Sequence, residues 1–207
     1  MAYQLVTQPT EEPISLAEAR LHLRIDDDLT ADDTLISALI VAARQFAENE
    51  TRRALVTQTW RLVLDCFPGQ ASYTVPLRPF GLPPNAILLE RCPVKSVQSI
   101  RYLDMGGIWQ TMSPADYTVD LTSEPARITP CFGKIWQPTL PQIGAVEVVF
   151  VTGYGTAAEV PAALKSWMKL RIGSLYEHRG EAEIVSRGKL EPMPFVDGLL
   201  DPYRMIL

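Results

Sequence analysis

Five aspartates in one short stretch are the side chains of this sequence best placed to bind an ion. They are Asp26, Asp27, Asp28, Asp32 and Asp33. Carboxylates at this density could hold calcium, which prefers oxygen ligands. Their spacing does not fit an EF-hand loop, because the stretch has no central glycine and no glutamate at the twelfth position. We therefore interpret the stretch as a solvated loop that leads into the charged start of a helix.

The rest of the sequence offers no set of residues for catalysis. Its histidines are His22, on a short amphipathic segment, and His178, in the last turn of a predicted helix, where a cation suits the helix dipole. The motifs HExxH, GxSxG and GxxxxGK(S/T) do not occur. Gly153 and Gly155 fit a turn that ends a strand better than a dinucleotide fingerprint. We therefore expect a protein that is not an enzyme and that has no cofactor or metal site.

Composition narrows the class further. The 207 residues carry a net charge of -5, so the chain lacks the basic surplus of proteins that hold DNA by counterion release. No segment approaches the ~18 consecutive apolar residues of a membrane span. Residues 1–9 lack the basic start and apolar run of a signal peptide, so we expect a chain that begins in a cytoplasm and meets no membrane. Cys66, Cys92 and Cys131 form no CxxC pair and are interpreted as buried thiols.

Aromatic and basic side chains do not combine into a nucleic-acid platform. Such a platform interleaves the two residue types, and the four tryptophans lack basic neighbours in that pattern. They are interpreted as core or interface residues and comprise Trp60, Trp109, Trp136 and Trp167. A modest basic cluster near the C-terminus is interpreted as a solvated helix face and comprises Lys165, Lys169 and Arg171.

A long amphipathic helix, predicted over residues 30–53, must organise the domain. Thr30 can cap it, and Asp33 can complete a capping box. One face is predicted to be apolar and comprises Leu35, Ile36, Leu39, Ile40, Ala43, Phe46 and Ala47. The opposite face is predicted to be polar and comprises mostly Ser37, Arg44, Gln45, Glu48 and Thr51. At ~1.5 Å per residue this helix would be roughly 35 Å long and would form the spine of the core.

Two further helices are predicted around it. Residues 1–13 are predicted to be extended, with Leu5 and Val6 as docking side chains. Ser15 and Glu18 form a second capping box at the start of a short helix, with Ile14 as a hydrophobic staple. Helical period returns after Pro161, with an apolar face that comprises Leu164, Trp167, Met168, Ile172, Leu175 and Tyr176.

Between these helices the apolar period changes from 3.6 to 2, which indicates β-structure. Trp60, Leu62 and Leu64 begin the alternation, and further strands are predicted over residues 73–77, 86–90, 97–103, 108–112, 117–121, 126–129 and 145–152. The predicted fold class is α+β. A helical bundle, residues 1–56 and 157–207, carries an inserted small antiparallel β domain, residues 57–156, of sandwich or barrel type.

Several segments in a fixed order carry a family resemblance. They are ISLAEARLHLRI at 14–25, residues 33–43, ETRRALVTQTW at 50–60, SVQSIRYLD at 96–104, PADYTVD at 114–120 and VFVTGYG at 149–155. Together they resemble the head–tail connector (adaptor) proteins of long-tailed bacteriophages, including those of prophages and gene transfer agents. The resemblance covers nearly all of residues 14–180, and it is carried by the ordered set rather than by one motif.

The resemblance implies a structural protein of the virion neck, assembled in the host cytoplasm. Such adaptors form a ring, usually a dodecamer, on the portal protein. The ring extends the DNA channel and provides the platform for a stopper or tail-completion protein, while packaged DNA passes without specific binding. Related adaptors dock a C-terminal segment into the portal, and here that segment comprises Leu199, Leu200, Pro202, Tyr203, Arg204, Met205, Ile206 and Leu207.

An acidic lining would let DNA slide through such a ring, because like charges repel. The candidates for that lining are Asp26, Asp27, Asp28 and the polar face of the long helix.

Three alternatives stay open at this point. Leu199, Leu200 and Tyr203 could cover this chain's own helices instead of docking into a portal. The β insertion could be a carbohydrate-binding or adhesive module with Trp109 or Trp136 as a stacking platform, which an exposed aromatic pair would favour. Scattered acidic residues could serve a small hydrolase, which metal-dependent turnover would favour.

Overall fold

The computed structural model describes residues 1–26, 28–69, 84–177 and 198–205. Contacts divide the chain into two compact units. The strand unit comprises Met1–Pro9, Thr57–Gly153 and Met205, and the helical unit comprises Thr10–Val56 and Tyr154–Arg204. Within the described residues, three α-helices and two antiparallel sheets confirm the predicted α+β class.

The helical unit is built from α1 (Leu16–Leu23), α2 (Asp33–Thr51) and α3 (Ala162–Glu177), with short 3-10 turns at Ala157–Glu159 and Asp201–Tyr203. Their apolar faces share one core, whose largest fully buried side chains are Ile14, Ile36, Leu55, Leu164 and Trp167. No described helix has both the length and the apolar character needed to cross a bilayer.

The start of α1 follows the predicted capping box. The Oγ of Ser15 accepts a hydrogen bond from the Glu18 N–H at 3.1 Å, and the Ser15 N–H donates to Oε2 of Glu18 at 2.9 Å. Two backbone donors that the first helical turn leaves without partners are thereby satisfied. Ile14, the residue before the cap, is fully buried in the helical core, as the staple requires.

The strand unit holds a five-stranded sheet, in the order β1-β2-β8-β4-β5, and a three-stranded sheet, in the order β3-β7-β6. The strands are β1 (Ala2–Thr7), β2 (Gln58–Leu64), β3 (Ile87–Leu89), β4 (Val94–Leu103), β5 (Trp109–Thr111), β6 (Tyr117–Asp120), β7 (Ala126–Pro130) and β8 (Val146–Thr152), with a 3-10 turn at Pro114–Asp116. The predicted strand at 73–77 lies outside the described residues.

Both sheets contribute to a single core in the strand unit. Its members include Leu62 of β2, Ile100 of β4 and Phe150 of β8 from one sheet, and Ile87 of β3 and Ile128 of β7 from the other. In the middle strand β8 the side chains alternate strictly between buried and half-buried, which is the period-2 pattern seen in the sequence. The alternation therefore fixes which face of β8 enters the core.

Strand β1 lies in the segment for which the sequence predicts only an extended conformation. It pairs antiparallel with β2, from Ala2 opposite Val63 to Thr7 opposite Thr59. Residues 1–9 consequently belong with the strands, whereas the predicted division placed residues 1–56 with the helices. The Tyr3 side chain adds to the backbone pairing: its hydroxyl donates to the Leu88 carbonyl at 3.2 Å and accepts from the Glu90 N–H at 2.9 Å. Burial raises the pKa of Tyr3, so the hydroxyl keeps its proton as a donor.

Candidate functional site

The four described aspartates of the cluster do not converge on one site. Asp26 and Asp28 are exposed on the connection between α1 and α2, and Asp27 lies outside the described residues. Asp32 accepts a hydrogen bond from the Tyr176 hydroxyl at 2.5 Å, and Asp33 pairs with Nε of Arg20 at 3.0 Å. Among the described residues no group of three or more His, Cys, Asp or Glu side chains is arranged to hold a metal ion.

The start of the long helix differs from the predicted one. Helix α2 begins at Asp33 with Asp32 as its N-cap, and not with Thr30. Thr30 contributes its backbone carbonyl, which accepts from the Asp33 N–H at 3.2 Å. The capping-box prediction fails because the Asp33 carboxylate binds the guanidinium of Arg20.

The polar face predicted for α2 is wrong at three positions. Thr51 is fully buried. Arg44 and Glu48 are each only 6% exposed. Arg44 donates through Nε to Oε2 of Glu12 at 2.8 Å and through Nη1 to Oε2 of Glu48 at 2.9 Å. The other oxygen of Glu48 accepts from the backbone N–H of Leu55 at 2.9 Å. A buried ion pair therefore fixes the chain where it leaves α2, and every charge in it is partnered.

The apolar face predicted for α2 also differs at its edges. Leu35 and Phe46, expected in the core, are exposed by 36% and 44%. Phe46 lies on the ring of Trp167 with 5.6 Å between ring centroids and 18° between planes. The guanidinium carbon of Arg171 lies 5.0 Å from the Phe46 ring centroid. The phenyl ring is thus in contact with two side chains of α3, although nearly half of the residue is exposed.

The C-terminal segment assigned to portal docking is described from Gly198 to Met205. Leu200 is fully buried in the helical core, and Leu199 and Tyr203 pack against it. Nε of Arg53 donates to the Tyr203 carbonyl at 2.7 Å. Leu199, Leu200 and Tyr203 therefore cover this chain's own helices, which is the alternative that the sequence left open.

The remaining residues of that segment are differently placed. Pro202 and Arg204 are exposed, and Met205 is half-buried. Arg204 pairs with Asp201 at 2.8 Å and with Glu50 at 3.4 Å. Ile206 and Leu207 lie outside the described residues. The portal-binding assignment stays a prediction, and the residues that it can still use begin at Arg204.

The two tryptophans considered as a glycan platform do not form an exposed pair. Trp136 is 5% exposed, stacks on Phe67 with 4.6 Å between centroids, and donates its indole N–H to the Asn85 carbonyl at 2.6 Å. Trp109 is 40% exposed, with the guanidinium carbon of Arg101 5.2 Å from its ring centroid. Trp136 is therefore a core residue, and the predicted platform role for it is wrong.

Acidic residues in the strand unit stabilise turns. Asp104 accepts from the backbone N–H groups of Gly106 and Ile108 at 2.9 and 3.0 Å, in the predicted hairpin where Gly107 has a φ of 78°. Asp120 accepts from Thr122, Ser123 and Arg127 at 2.6 to 2.9 Å. The side-chain hydrogen bond from Thr122, followed by that from Arg127, holds the pKa of Asp120 well below its usual range.

A groove of about 360 Å³ lies beside α2 within the helical unit. Its lining includes three glutamates, Glu11, Glu12 and Glu18, and each already has a partner. Glu11 accepts from the Ala157 N–H at 2.9 Å, Glu12 pairs with Arg44, and Glu18 caps α1. The hydrogen bond from the Ser15 N–H holds the pKa of Glu18 below normal, and the charge of Lys169 adds to this. The three carboxylates beside the groove are thus already engaged by groups of this chain.

The histidines and cysteines are the remaining candidate site residues. His22 is exposed on α1, and its Nε2 would lie 3.6 Å from a Cβ built on Gly173 of α3. His178 lies outside the described residues. Cys92 is buried, while Cys66 and Cys131 are half-buried, and none of the three forms a disulfide. The prediction of buried thiols is therefore confirmed for Cys92 alone.

Comparison with known proteins gives one family. Residues 13–85 match the family model described as phage gp6-like head-tail connector protein. This match confirms the resemblance seen in the sequence over the segment that contains α1, α2 and β2. A comparison with curated proteins gave no match.

Solved structures extend the likeness to the whole chain. A chain in the neck of an empty gene transfer agent (GTA) particle, computed with C6 symmetry, is 25% identical with a TM-score of 0.76. A chain in the virion of a native GTA particle is 24% identical with a TM-score of 0.77, and one in the native GTA neck, computed with C12 symmetry, is 24% identical with a TM-score of 0.68. Each alignment covers 100% of this chain and 97% of the other.

Proposed function

We propose that this chain is a structural subunit of the neck of a phage-like particle, where it acts as a head–tail connector. One observation carries the proposal: this chain resembles a chain of a GTA neck over its full length. The region of this chain that matches the connector family, residues 13–85, lies within that alignment. Most of the carboxylates and indoles considered above serve caps, turns, ion pairs and core packing, which fits a structural role rather than an enzymatic one.

Copies of the chain form a closed ring, and the dodecamer is the favoured state. The C6 and C12 symmetries of the necks that contain similar chains support this. The ring binds the portal protein on one side, extends the DNA channel, and offers its other side to a stopper or tail-completion protein. Its place is the virion neck, and it assembles in the host cytoplasm.

Packaged DNA passes through the ring without specific binding. The net charge of -5 supports this, because a basic wall would retain the phosphate backbone. The acidic lining is assigned to Asp26 and Asp28, which are exposed, and to Asp27. The polar face of α2 is a weaker candidate than the sequence indicated, because its exposed residues from Thr34 to Asn49 include no carboxylate.

Portal binding is assigned to the end of the chain. Leu199, Leu200 and Tyr203 anchor the segment on the helical core, and residues from Arg204 to Leu207 reach the portal. Anchoring shortens the free segment and lowers the conformational entropy lost on docking. Repetition around the ring would strengthen a weak single contact.

The decisive experiment is electron microscopy of particles that carry an epitope on this protein. Antibody density at the junction of head and tail is the expected result, together with filled, tailless heads when the gene is deleted. Label on the tail fibres or inside the capsid, or normal tails without the gene, would overturn the proposal.

A further inference from the structure

The solvent-facing side of α2 carries no ionisable residue over most of its length. From Thr34 to Asn49 the exposed residues are Thr34, Leu35, Ser37, Ala38, Ala42, Gln45, Phe46 and Asn49. The two ionisable residues of this range, Arg44 and Glu48, are buried and paired with each other. An exposed helix face in a soluble protein ordinarily carries charges, and α3 follows that pattern with Arg171 and Glu177 exposed.

This neutral face has the spacing of a helix-packing seam. Leu35, Ala38, Ala42, Gln45 and Asn49 follow one another at alternating steps of three and four residues. That spacing keeps a straight stripe along one side of a helix, and small residues within it let another element approach closely. Phe46 borders the stripe, and its stacking on Trp167 holds the ring in place before any partner arrives.

A second copy of this chain is the partner that the charges favour. Each copy carries a net charge of -5, so copies repel one another unless the contact itself excludes charge. The neutral face provides such a contact in the middle of the helical unit. A ring of identical subunits requires a head-to-tail contact, which joins two different surfaces of the same chain.

The other surface of that contact is found at the end of α1. In the described part of the helical unit, the most exposed large apolar side chains are Leu21 at 82% and Leu29 at 57%. Both belong to α1 and its connection to α2. We propose that, in the ring of the proposed function on which this inference rests, the neutral face of α2 binds Leu21 and Leu29 of the neighbouring copy.

Disulfide trapping of the full chain tests the contact directly. Cys66 and Cys131 are replaced by serine, and Leu21→Cys and Ala42→Cys are made in separate proteins. A head-to-tail contact predicts that mild oxidation of the mixture gives heterodimer at least tenfold above the homodimer of either variant alone. A third protein with Ala162→Cys, an exposed position at the start of α3, replaces Ala42→Cys in the control mixture.

Each other outcome overturns the proposal. Equal yields of heterodimer in the test and control mixtures would mean that the disulfides form by random collision. Strong homodimer from Ala42→Cys alone would mean that two α2 faces meet across a two-fold axis. A fall in melting temperature for Ala42→Arg as large as that for the fully buried Ala43→Arg would mean that this chain's own residues cover the face.

Particles that carry Ala42→Arg separate this inference from the proposed function. We expect at least a tenfold loss of tailed particles, whereas Ala162→Arg leaves their number unchanged. Normal tails with Ala42→Arg would overturn the neutral-face contact and leave the neck assignment intact. Epitope label away from the neck in wild-type particles would instead overturn the neck assignment.

Discussion

Arg44 and Glu48 lie one helical turn apart on α2, with 2.9 Å between Nη1 and Oε2, and both are buried. Removing Glu48 takes away one of the two carboxylates that partner the buried Arg44, while Glu12 remains, and it leaves the Leu55 N–H without its acceptor. We expect Glu48→Ala to lower the free energy of unfolding by about 2–4 kcal/mol, measured by urea denaturation.

Glu50→Ala is the matched control for that measurement. Glu50 is exposed two residues further along α2 and pairs with Arg204 at 3.4 Å. Exposed ion pairs contribute about 0–1 kcal/mol, so this variant should unfold almost like the wild type. Equal losses for the two variants would contradict the stabilising role of the buried pair.

Stability should depend on pH through Asp120. Its pKa is lower in the folded chain than in the unfolded chain, because Thr122, Arg127 and Ser123 donate to the carboxylate. Such a group stabilises the fold above its unfolded pKa of about 3.9, and the contribution is lost as the pH falls through the lowered folded value. Near neutral pH we expect the wild type to have a higher melting temperature than Asp120→Asn. The difference between the two melting temperatures should shrink below about pH 4. A gap that persists in strong acid would contradict this.

The two tryptophans of the strand unit should respond very differently to truncation. Trp136 is buried on Phe67, so Trp136→Ala should cost about 3–5 kcal/mol of the free energy of unfolding. Trp109 is 40% exposed and lies outside the core, so Trp109→Ala should cost less than about 1 kcal/mol. Guanidinium titration followed by circular dichroism measures both. Similar costs would show that burial does not separate the two indoles.

The C-terminal segment should consist of a part that stabilises the fold, up to Arg204, and a part after it that binds the portal. Deleting residues 205–207 should leave the melting temperature nearly unchanged and yield filled heads without tails. Deleting residues 202–207 should lower it, because the Tyr203 carbonyl and side chain leave Arg53 and the helical core. Normal tails after the shorter deletion would rule out portal binding by these residues, and an equal loss of stability would make them part of the fold.

Charge reversal tests the acidic lining. We expect Asp26→Lys/Asp28→Lys particles to assemble but to release DNA more slowly, with the delay shrinking as salt rises, because phosphate contacts are screened. Glu11→Lys/Glu177→Lys changes the net charge equally at exposed positions of the same unit and serves as the control. Unchanged release by the first variant would place the lining elsewhere.

The sequence predicted elements best where one face is buried. Val146, Val148 and Phe150 alternate strictly, and β8 appears where the period-2 pattern placed it. Strand β1 was described only as extended, because Tyr3 is its one half-buried residue and the pairing with β2 uses backbone atoms. Backbone pairing of an exposed strand does not produce a hydrophobic pattern that the sequence could show.

Errors in the candidate surfaces have a related cause. Periodicity placed Arg44 and Glu48 in solvent because it treats each charge alone, whereas the pair enters the core together with Glu12. The sequence does contain one indication of this pair. Arg44 and Glu48 are the only ionisable residues between Thr34 and Asn49, and they are four residues apart. The C-terminal leucines could not be assigned in the same way, because apolar residues suit both a core and a docking surface.

The position of β1 affects how the chain is made. This strand leaves the ribosome before its partner β2, which begins roughly 50 residues later. At ~5–20 residues per second, the interval is roughly 3 to 10 seconds, during which β1 has no partner strand. Helix α2 is synthesised in that interval. A nascent chain of this protein therefore carries β1 unpaired until β2 has been made, and the core of α2 stays incomplete until α3, which begins roughly 110 residues after α2 ends, has been synthesised.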